Sequence, residues 1–449
     1  MARKLSDWLE NYAIYTQRTE PPSIYHAWTG VSCIASVLTR NAWLDWDTRQ
    51  YPNHFILLVG PAACRKGTAL RLGKDILRNS GTAYIACDRT SPESFIQEML
   101  SREQPPVIPY PMSRTNSICP ITVFSEEFVT FCRYDNSSFL QDLCDLYDSG
   151  DVWKYGTIKR GIEEVEGVCL NLIGAITPKL IRVAFPPEAI GGGLTSRMIL
   201  VYAGQKRAAV TRAVRTAAEL RLRDDLTEDL RHISTIAGAF QPDSDWLALY
   251  DDWYLEQERV CPIEDENFEN YIGRRQMHMI KLSMVFSASR DDNMILDREV
   301  FERAHLLLTA TERHMPQCFA GMGRVAYAEV LPKVLDFLRR VVDCPYSAIC
   351  GEFRQDLSPA DADSVLTSLA GANAIRIYLK GGRKWVEYTP NAYQAARAAS
   401  GQALAVPGAA PAPPVAGGVV IPYGKSCASP GAGEQAPGSE SSPAESPPA

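Results

Sequence analysis

The chain has 449 residues, 46% of them apolar and 22% charged, which is the composition of a globular protein with more than one domain. Its formal net charge of −7 excludes a basic field over the whole surface, so any contact with nucleic acid must come from a local basic patch. The twelve cysteines include no C-x-x-C pair, so we expect free thiols in a reducing compartment. No window approaches the roughly 18 apolar residues of a spanning helix, and we expect a cytoplasmic protein without a membrane partner.

The first half of the chain is predicted to have an α/β fold. Apolar residues recur at helical spacing in residues 1–50, which predicts an N-terminal helical segment. Residues 51–210 then alternate between helical stretches and short runs that are apolar throughout. These runs are 55–59, 83–86, 121–124 and 168–175. Strands that are apolar on both faces and separated by helices predict a mostly parallel sheet.

The second half is predicted to be mainly helical. Residues 211–320 carry apolar stripes at helical spacing, which predicts a helical region or lid. Over 325–392, two helices joined by a turn precede two short strands that meet at Gly381-Gly382. This is the pattern of a winged-helix domain. Residues 400–449 contain Gly, Ala, Pro and Ser with few large apolar residues, so we expect a disordered tail.

The most specific signal is the segment 59–68, which follows a predicted strand and opens a predicted helix. This is the setting of a phosphate-binding loop (P-loop), in which backbone N–H groups and a lysine, here Lys66, bind the phosphates of ATP. Two positions depart from the pattern G-x-x-x-x-G-K-[ST], because Arg65 replaces a glycine and Gly67 replaces the hydroxyl residue that binds Mg²⁺. Thr68 is then the candidate hydroxyl ligand of the metal. The candidate nucleotide contacts are Gly60, Cys64, Arg65, Lys66, Gly67 and Thr68. The alternative is a glycine-rich turn with a structural role.

Polar residues at two further strand ends complete the candidate site. Glu126 and Glu127 follow the strand at 121–124, where the first acid is the candidate Mg²⁺ ligand and the second the candidate base that orients the attacking water. On the next strand, Thr177 is the first candidate for contact with the γ-phosphate and Asn171 is the second. The alternatives are a solvated acidic pair and ordinary strand-end chemistry.

Two sets of cations are candidates for completing the site. Arg197 follows a glycine-rich loop and precedes a strand, and in ring ATPases such an arginine stabilises the transition state in the neighbouring subunit. An ion pair within the same chain is the alternative. The second set lies at helical spacing, where one member could contact nucleotide from a lid, although a solvated face is the more common arrangement. Its members are Arg274, Arg275, His278 and Lys281.

Together these motifs resemble a family of helicase-like P-loop ATPases found in phages, prophages and plasmids. The resemblance covers residues 25–315 and rests on the order and spacing of six segments. These are 55–68, 125–128, 146–148, 171–178, 192–197 and 271–282. The resemblance implies a RecA/AAA+-type core, ATP and Mg²⁺ as cofactors, a homo-oligomeric ring, and single-stranded DNA as the track. Family members are described as replicative or primase-associated helicases, so a primase or another replication protein is an expected partner.

Basic residues at two hairpins are the candidates for contact with DNA. A predicted hairpin around 153–166 carries Lys154, Lys159 and Arg160 beside aromatic residues, which could bind phosphates and stack on bases. In the predicted winged helix, Arg383 and Lys384 lie in the wing, but the helix from Ala360 is acidic at its start. An ordinary exposed hairpin and a protein-docking module are the alternatives.

Three functional hypotheses remain open. The first is an ATP-driven DNA helicase or translocase that hydrolyses ATP at a subunit interface, which the acid pair and Arg197 favour. The second is a nucleotide-switched helicase loader or regulator with weak hydrolysis, which Arg65 and Gly67 favour. The third is a structural interaction protein with a relict nucleotide fold, which the lack of a broad basic face favours.

Overall fold

The computed structural model of the chain describes residues 3–389 with several gaps. The gaps are 88–90, 103, 106, 108–116, 133–136, 158–160, 186–191, 213, 320–329, 355 and 372. The predicted disordered tail and the hairpin residues Lys159 and Arg160 therefore lie outside the described residues.

The N-terminal segment forms two helices and two short strands. These are α1 (Trp8–Thr16), α2 (Ser23–Leu38), β1 (Ala42–Asp45) and β2 (Arg49–Gln50). The side chains of α2 are buried from Tyr25 to Leu38 with the exception of Ala27, because the helix lies against the body of the core. The expected helices are present, and the end of the segment adds two strands that the helical spacing did not indicate.

A parallel sheet forms the centre of residues 51–210. The elements in chain order are β3 (Phe55–Val59), α3 (Lys66–Ser80), α4 (Pro92–Leu100), β4 (Cys119–Ser125), α5 (Phe128–Cys132), α6 (Ser137–Tyr147), β5 (Val152–Thr157), β6 (Gly161–Glu166), β7 (Val168–Ile176), α7 (Pro178–Ala184), α8 (Gly193–Ser196) and β8 (Met198–Tyr202). Four strands pair in the order β4-β7-β3-β8, all parallel, which confirms the predicted α/β class. The run at 83–86 contributes a single parallel bridge between Ile85 and Thr122 of β4.

The central strands are buried along their whole length. Every residue of β3, β4 and β7 is buried, so burial does not alternate along these strands, as is typical of a parallel sheet covered on both faces. Val59 pairs with Ile176, and Ser125 pairs with Gly174. The carboxyl ends of β3, β4 and β7 therefore lie at one edge of the sheet, while β5 and β6 form a separate antiparallel hairpin.

The region after β8 is mainly helical. Its elements are α9 (Ala217–Ile233), β9 (Gly238–Ala239), β10 (Gln241–Pro242), α10 (Ser244–Arg259), α11 (Glu269–Ile272), α12 (Arg275–Arg290), β11 (Ile295–Leu296) and α13 (Arg298–Glu312). Helix α12 packs against α2 and α13 and is buried along almost its whole length. None of the helices in the described part of the chain combines the length and apolar character that a bilayer crossing needs.

The last described region, 330–389, has its own small core. Its elements are α14 (Leu331–Val341), β12 (Asp343–Pro345), α15 (Tyr346–Glu352), α16 (Pro359–Gly371), β13 (Ile375–Lys380) and β14 (Arg383–Tyr388). The strands form an antiparallel sheet in the order β12-β14-β13. Lys380 pairs with Arg383, which leaves Gly381-Gly382 as the two-residue turn that the sequence predicts.

A buried lysine stands where α12 meets the chain before β3. The Lys281 ammonium donates to the Tyr51 carbonyl at 2.9 Å and to Oδ1 of Asn53 at 2.5 Å, and it lies 4.7 Å from the centre of the Tyr147 ring. These partners are neutral, and burial lowers the pKa of Lys281 to about 8. The folded state therefore binds this proton less tightly than the unfolded chain does.

We expect Lys281 to contribute a rise in the free energy of unfolding between pH 8 and pH 10.5, because over this interval the unfolded chain holds a proton on Lys281 that the folded state has lost. The Lys281→Met variant should lose this rise, which amounts to at most about 3 kcal/mol. Urea unfolding at several pH values measures it. Lys333→Met, at an exposed lysine of α14, should keep the rise. Equal pH dependence in the wild type and Lys281→Met would contradict the expectation.

Candidate nucleotide-binding site

The candidate site lies at the edge of the sheet where β3, β4 and β7 end. Gly60 follows β3, Glu126 follows β4, and Thr177 follows β7. The Gly60 N–H donates to the Ile176 carbonyl at 3.3 Å, which joins the start of the loop to the end of β7. The parallel register thus brings the loop, the acid pair and the threonine to the same edge, as the sequence predicts.

The loop between β3 and α3 is shaped by close contacts with two distant segments. The Tyr25 hydroxyl of α2 donates to the Val59 carbonyl at 2.7 Å. A Cβ on Gly60 would lie 2.4 Å from that hydroxyl oxygen and 2.5 Å from the Ala203 carbonyl oxygen, so the position requires glycine. The Cys64 thiol is buried and donates to the same Ala203 carbonyl at 3.3 Å. The side chain of Cys64 therefore makes a structural contact, and a nucleotide contact from this residue would have to come from its backbone.

Arg65 adopts the left-handed conformation expected of the glycine that it replaces. Its φ is 60° and its ψ is 31°, and it is the residue before α3. An L-residue is strained there by about 1 kcal/mol or more. Its guanidinium lies 2.6 Å from the Glu20 carboxylate, which also binds the Lys206 ammonium at 2.5 Å. The hydrogen bond from Lys206 lowers the pKa of Glu20, so the carboxylate remains charged beside Arg65.

Lys66 is folded back over the loop. Its ammonium donates to the Gly60 carbonyl at 2.6 Å and to the Pro61 carbonyl at 2.9 Å. The side chain is buried, and this burial lowers the pKa of Lys66. An anion that replaced the two carbonyls would stabilise the charged ammonium. The first turn of α3 adds N–H groups that have no partner within the helix, and this end of the helix dipole is positive.

The two acids after β4 differ in their surroundings. The Glu126 carboxylate lies directly over the first turn of α3, because a Cβ on Gly67 would be 2.6 Å from its Oε2. Arg71 of the same helix lies 3.6 Å from Oε1 of Glu126. Glu127 is exposed, and the Thr130 hydroxyl approaches its carboxylate at 3.4 Å. The Glu126 carboxylate thus contacts the first turn of α3, whereas Glu127 is exposed to solvent.

The two candidate sensors of the γ-phosphate occupy different places on β7. Thr177 lies at the carboxyl end, half buried, with no side-chain bond that caps α7. Asn171 lies near the start of the strand, where its amide donates to Ser32 and Ser36 of α2 and its oxygen accepts from the His54 N–H. Asn171 is therefore a core residue that joins the sheet to α2, because all of its polar atoms are used there. The expected nucleotide contact from Asn171 would require these hydrogen bonds to break.

Arg197 lies at the opposite edge of the sheet from the loop. It precedes β8, whose first residue, Met198, pairs with the first residue of β3. Its guanidinium forms two hydrogen bonds with the Asp148 carboxylate, and Nη1 donates to the Gly193 carbonyl at 2.8 Å. Arg274 lies 3.5 Å from the same carboxylate. The structure thus contains the ion pair within the chain that the sequence left open, and Arg197 does not reach its own loop.

The remaining cations of α12 form neither a lid contact nor a solvated face. Arg275 is buried and makes a bidentate pair with Glu312 at 2.7 and 2.8 Å. His278 is buried against Tyr271, with ring centroids 5.2 Å apart, and burial lowers its pKa to about 3. Of the four predicted residues, only Arg274 has an exposed side chain. Arg275, His278 and Lys281 are thus on a buried face of α12.

Of the three basic candidates that the structure describes in the two hairpins, Lys154 and Lys384 lie close to acids. The Lys154 ammonium lies 2.6 Å from the Glu164 carboxylate, and the aromatic rings beside it, Trp153 and Tyr155, stack on each other. Lys384 of β14, next to the turn of the C-terminal hairpin, pairs with Asp363 of α16. Arg383 is exposed. Lys154 and Lys384 are therefore partly neutralised within the chain.

Two residues that shape the candidate site, Tyr25 and Glu20, carry no local sequence signal. They lie about 40 residues before the loop, and only the packing of α2 brings them to it. The sequence indicates Asp148 only weakly, as the last residue of the short motif 146–148. Among the described residues, no group of three or more His, Cys, Asp or Glu side chains could by itself hold a metal ion. Comparison of the chain with profiles of known protein families and with curated protein sequences found no match.

Two substitutions of Arg65 distinguish the effect of backbone strain on stability from the effect of the ion pair with Glu20. Arg65→Gly and Arg65→Ala both lose the contact with Glu20, but only glycine tolerates the positive φ without strain. We expect Arg65→Gly to be more stable than Arg65→Ala by about 1 kcal/mol, as measured by urea unfolding. The same pair of substitutions at Arg71, inside α3, should show the opposite order by about 1 kcal/mol. If the glycine and alanine variants have the same order of stability at both positions, the left-handed conformation of residue 65 would be contradicted.

Proposed function

We propose that the chain is a P-loop ATPase with a RecA/AAA+-type core that hydrolyses ATP with Mg²⁺ and acts on DNA as a helicase or translocase. One observation carries this proposal. A buried lysine, Lys66, which follows the left-handed residue Arg65, lies with two acids and a threonine at the carboxyl edge of one parallel sheet. Ligands of open α/β sheets bind outside the carboxyl ends of the strands. A cation, anions and a hydroxyl at that edge suit a metal-bound polyphosphate.

Each residue of the edge has a distinct role in this proposal. Bound ATP with Mg²⁺ would supply the phosphoanhydride bond that is broken. Lys66 would leave the carbonyls of Gly60 and Pro61 and bind phosphate oxygens, which concentrates positive charge where negative charge develops. Glu127, which is exposed, would hold and orient the attacking water. The Thr177 hydroxyl would donate to the γ-phosphate, and Glu126 and Thr68 are the candidate oxygen ligands of the metal.

The position of Arg197 supports hydrolysis at an interface between subunits. Arg197 and the loop lie at opposite ends of β3 and β8, so the arginine cannot serve the nucleotide bound by its own chain. Asp148 holds its guanidinium in a fixed orientation, with Arg274 beside it. A homo-oligomeric ring would bring this edge of one subunit to the carboxyl edge of the next. There Arg197 would stabilise the transition state in trans.

We also propose that residues 330–389 are a winged-helix domain. Helices α15 and α16 and the hairpin of β13 and β14 have the required order. Arg383 is an exposed basic residue of its wing, whereas Asp363 neutralises Lys384. This domain and the tip of the hairpin of β5 and β6 are the candidate contacts with DNA.

A specific observation favours a second candidate function, a nucleotide-switched helicase loader or regulator with weak hydrolysis. Arg65 is tied to Glu20, and residue 67 has no hydroxyl, so both departures from the P-loop pattern lie where the phosphates and the metal would bind. Such a protein would bind ATP through Lys66 and change conformation, while turnover would stay slow.

ATP hydrolysis with and without single-stranded DNA tests the proposal. Lys66→Ala should lose ATP binding and turnover, since it removes the cation at the loop. Glu127→Gln should keep binding but lose at least about a hundredfold in turnover, because it removes the base. Lys333→Ala, at an exposed lysine of α14, is the control. Binding that depends on Lys66 without turnover in the wild type would favour the loader or regulator, and ATP binding unaffected by Lys66→Ala would exclude both.

Mixing two inactive variants tests whether Arg197 acts in trans. Arg197→Ala and Lys66→Ala should each abolish turnover when assayed alone. In a mixed ring, an interface formed by Lys66 of one variant and Arg197 of the other is intact, so turnover should reappear on mixing. Circular dichroism of each variant checks that the loss of the ion pair with Asp148 leaves the fold intact. Two folded variants that assemble together and stay inactive would argue against a role in trans.

A further inference from the structure

Gly67 and Glu126 fit each other in a way that the usual P-loop pattern does not require. Oε2 of Glu126 lies 2.6 Å from the place that a Cβ on Gly67 would occupy, and Cδ lies 3.4 Å from it. The carboxylate thus fills the space from which a serine or threonine side chain at residue 67 would extend. Any side chain at this position would have to displace the carboxylate.

The sequence departs from the usual pattern at residues 67 and 126, and the longer side chain at residue 126 compensates for the missing side chain at residue 67. Gly67 lacks the hydroxyl that the pattern places after the lysine, and Glu126 is one methylene longer than the aspartate usual after the strand. The longer side chain brings a carboxylate oxygen to the first turn of α3, close to where the missing hydroxyl oxygen would stand. The longer side chain of Glu126 therefore places an oxygen close to the position at which residue 67 lacks one.

Thr68 does not replace the missing hydroxyl. Successive residues of an α-helix point about 100° apart around the axis, so Thr68 leaves α3 in a different direction from residue 67. The carboxylate of Glu126 is also not held by a strong competing cation. Its neighbour Arg71 lies 3.6 Å away with a side chain that is 62% exposed, and such a surface pair contributes little.

We propose that Glu126 is the main protein ligand of Mg²⁺ and occupies the place of the absent hydroxyl, with Gly67 required to make room for it. Mg²⁺ takes oxygen ligands and commonly binds one or two carboxylates together with substrate phosphates and water, which matches this donor set. The inference rests on the proposed ATP site. It assigns Gly67 to a working metal site and removes Thr68 from the ligand set.

A double-mutant cycle that restores the usual pair tests the inference. The variants are Gly67→Ser, Glu126→Asp and the double variant. Gly67→Ser should displace the carboxylate, and Glu126→Asp should fail to reach the metal, so each should weaken Mn²⁺ binding about tenfold or more in the presence of a non-hydrolysable ATP analogue. The double variant supplies a hydroxyl and a short carboxylate, so it should bind Mn²⁺ more tightly than either single variant. Electron paramagnetic resonance of free Mn²⁺ measures the affinity.

A matched control distinguishes the hydroxyl from the added volume. The variant that combines Gly67→Ala with Glu126→Asp has the same Cβ but no hydroxyl, so it should not recover Mn²⁺ binding. Independent losses that multiply in the Gly67→Ser, Glu126→Asp protein would overturn the inference. If Gly67→Ser does not fold, Glu126→Gln keeps the length but removes the charge, and unchanged Mn²⁺ affinity in that variant would overturn the inference as well.

Binding of a fluorescent ATP analogue to the wild type separates this inference from the proposed function. Binding that Lys66→Ala does not affect would remove the ATP site itself, and the metal inference with it. If binding of the analogue depends on Lys66, but the losses of Mn²⁺ affinity in the single variants multiply in the double variant, only the assignment of Glu126 and Gly67 would be overturned. Recovery in the double variant supports both.

Discussion

The parallel register of β3, β7 and β4 is the constraint on which the candidate site depends. Because the three strands are buried on both faces, their side chains are covered along the length of the sheet, and the polar side chain of Asn171 is satisfied in the core. Polar groups become available only where the strands end. The pairing of Val59 with Ile176 and of Ser125 with Gly174 then sets which strand ends lie next to each other. The loop, the acids and Thr177 lie together for that reason.

The loop itself depends on segments far away in the chain. Tyr25 and Ala203 approach the backbone of Gly60 so closely that no side chain fits there, and Glu20 holds the guanidinium of Arg65. The N-terminal helices are therefore part of the site's support and not an appended segment. A strained left-handed arginine persists because its surroundings hold it on both sides, which is the usual way in which strain is retained at a binding site.

Charge pairing within the chain decides which cations are available to ligands. In a protein with a net charge of −7, most of the candidate basic residues that the structure describes pair with acids of the same chain. These pairs are Arg65 with Glu20, Arg197 and Arg274 with Asp148, Arg275 with Glu312, Lys154 with Glu164, and Lys384 with Asp363. Lys66 differs because its partners are two carbonyls of its own loop, which an anion can replace. This difference is what makes the loop the strongest candidate for phosphate binding.

The sequence by itself determined the α/β class, the parallel strands, the Gly-Gly turn, and the ends at which Lys66, Glu126, Glu127 and Thr177 lie. Those features depend on periodicity and on neighbours along the chain, which local sequence records. Only the tertiary structure decided that Asn171, Cys64, Arg275, His278 and Lys281 belong to the core, since a spacing pattern shows that residues share a face but not what covers that face. Only the tertiary structure, likewise, placed Glu126 over Gly67, because the two residues are brought together by strand pairing across 59 positions of chain.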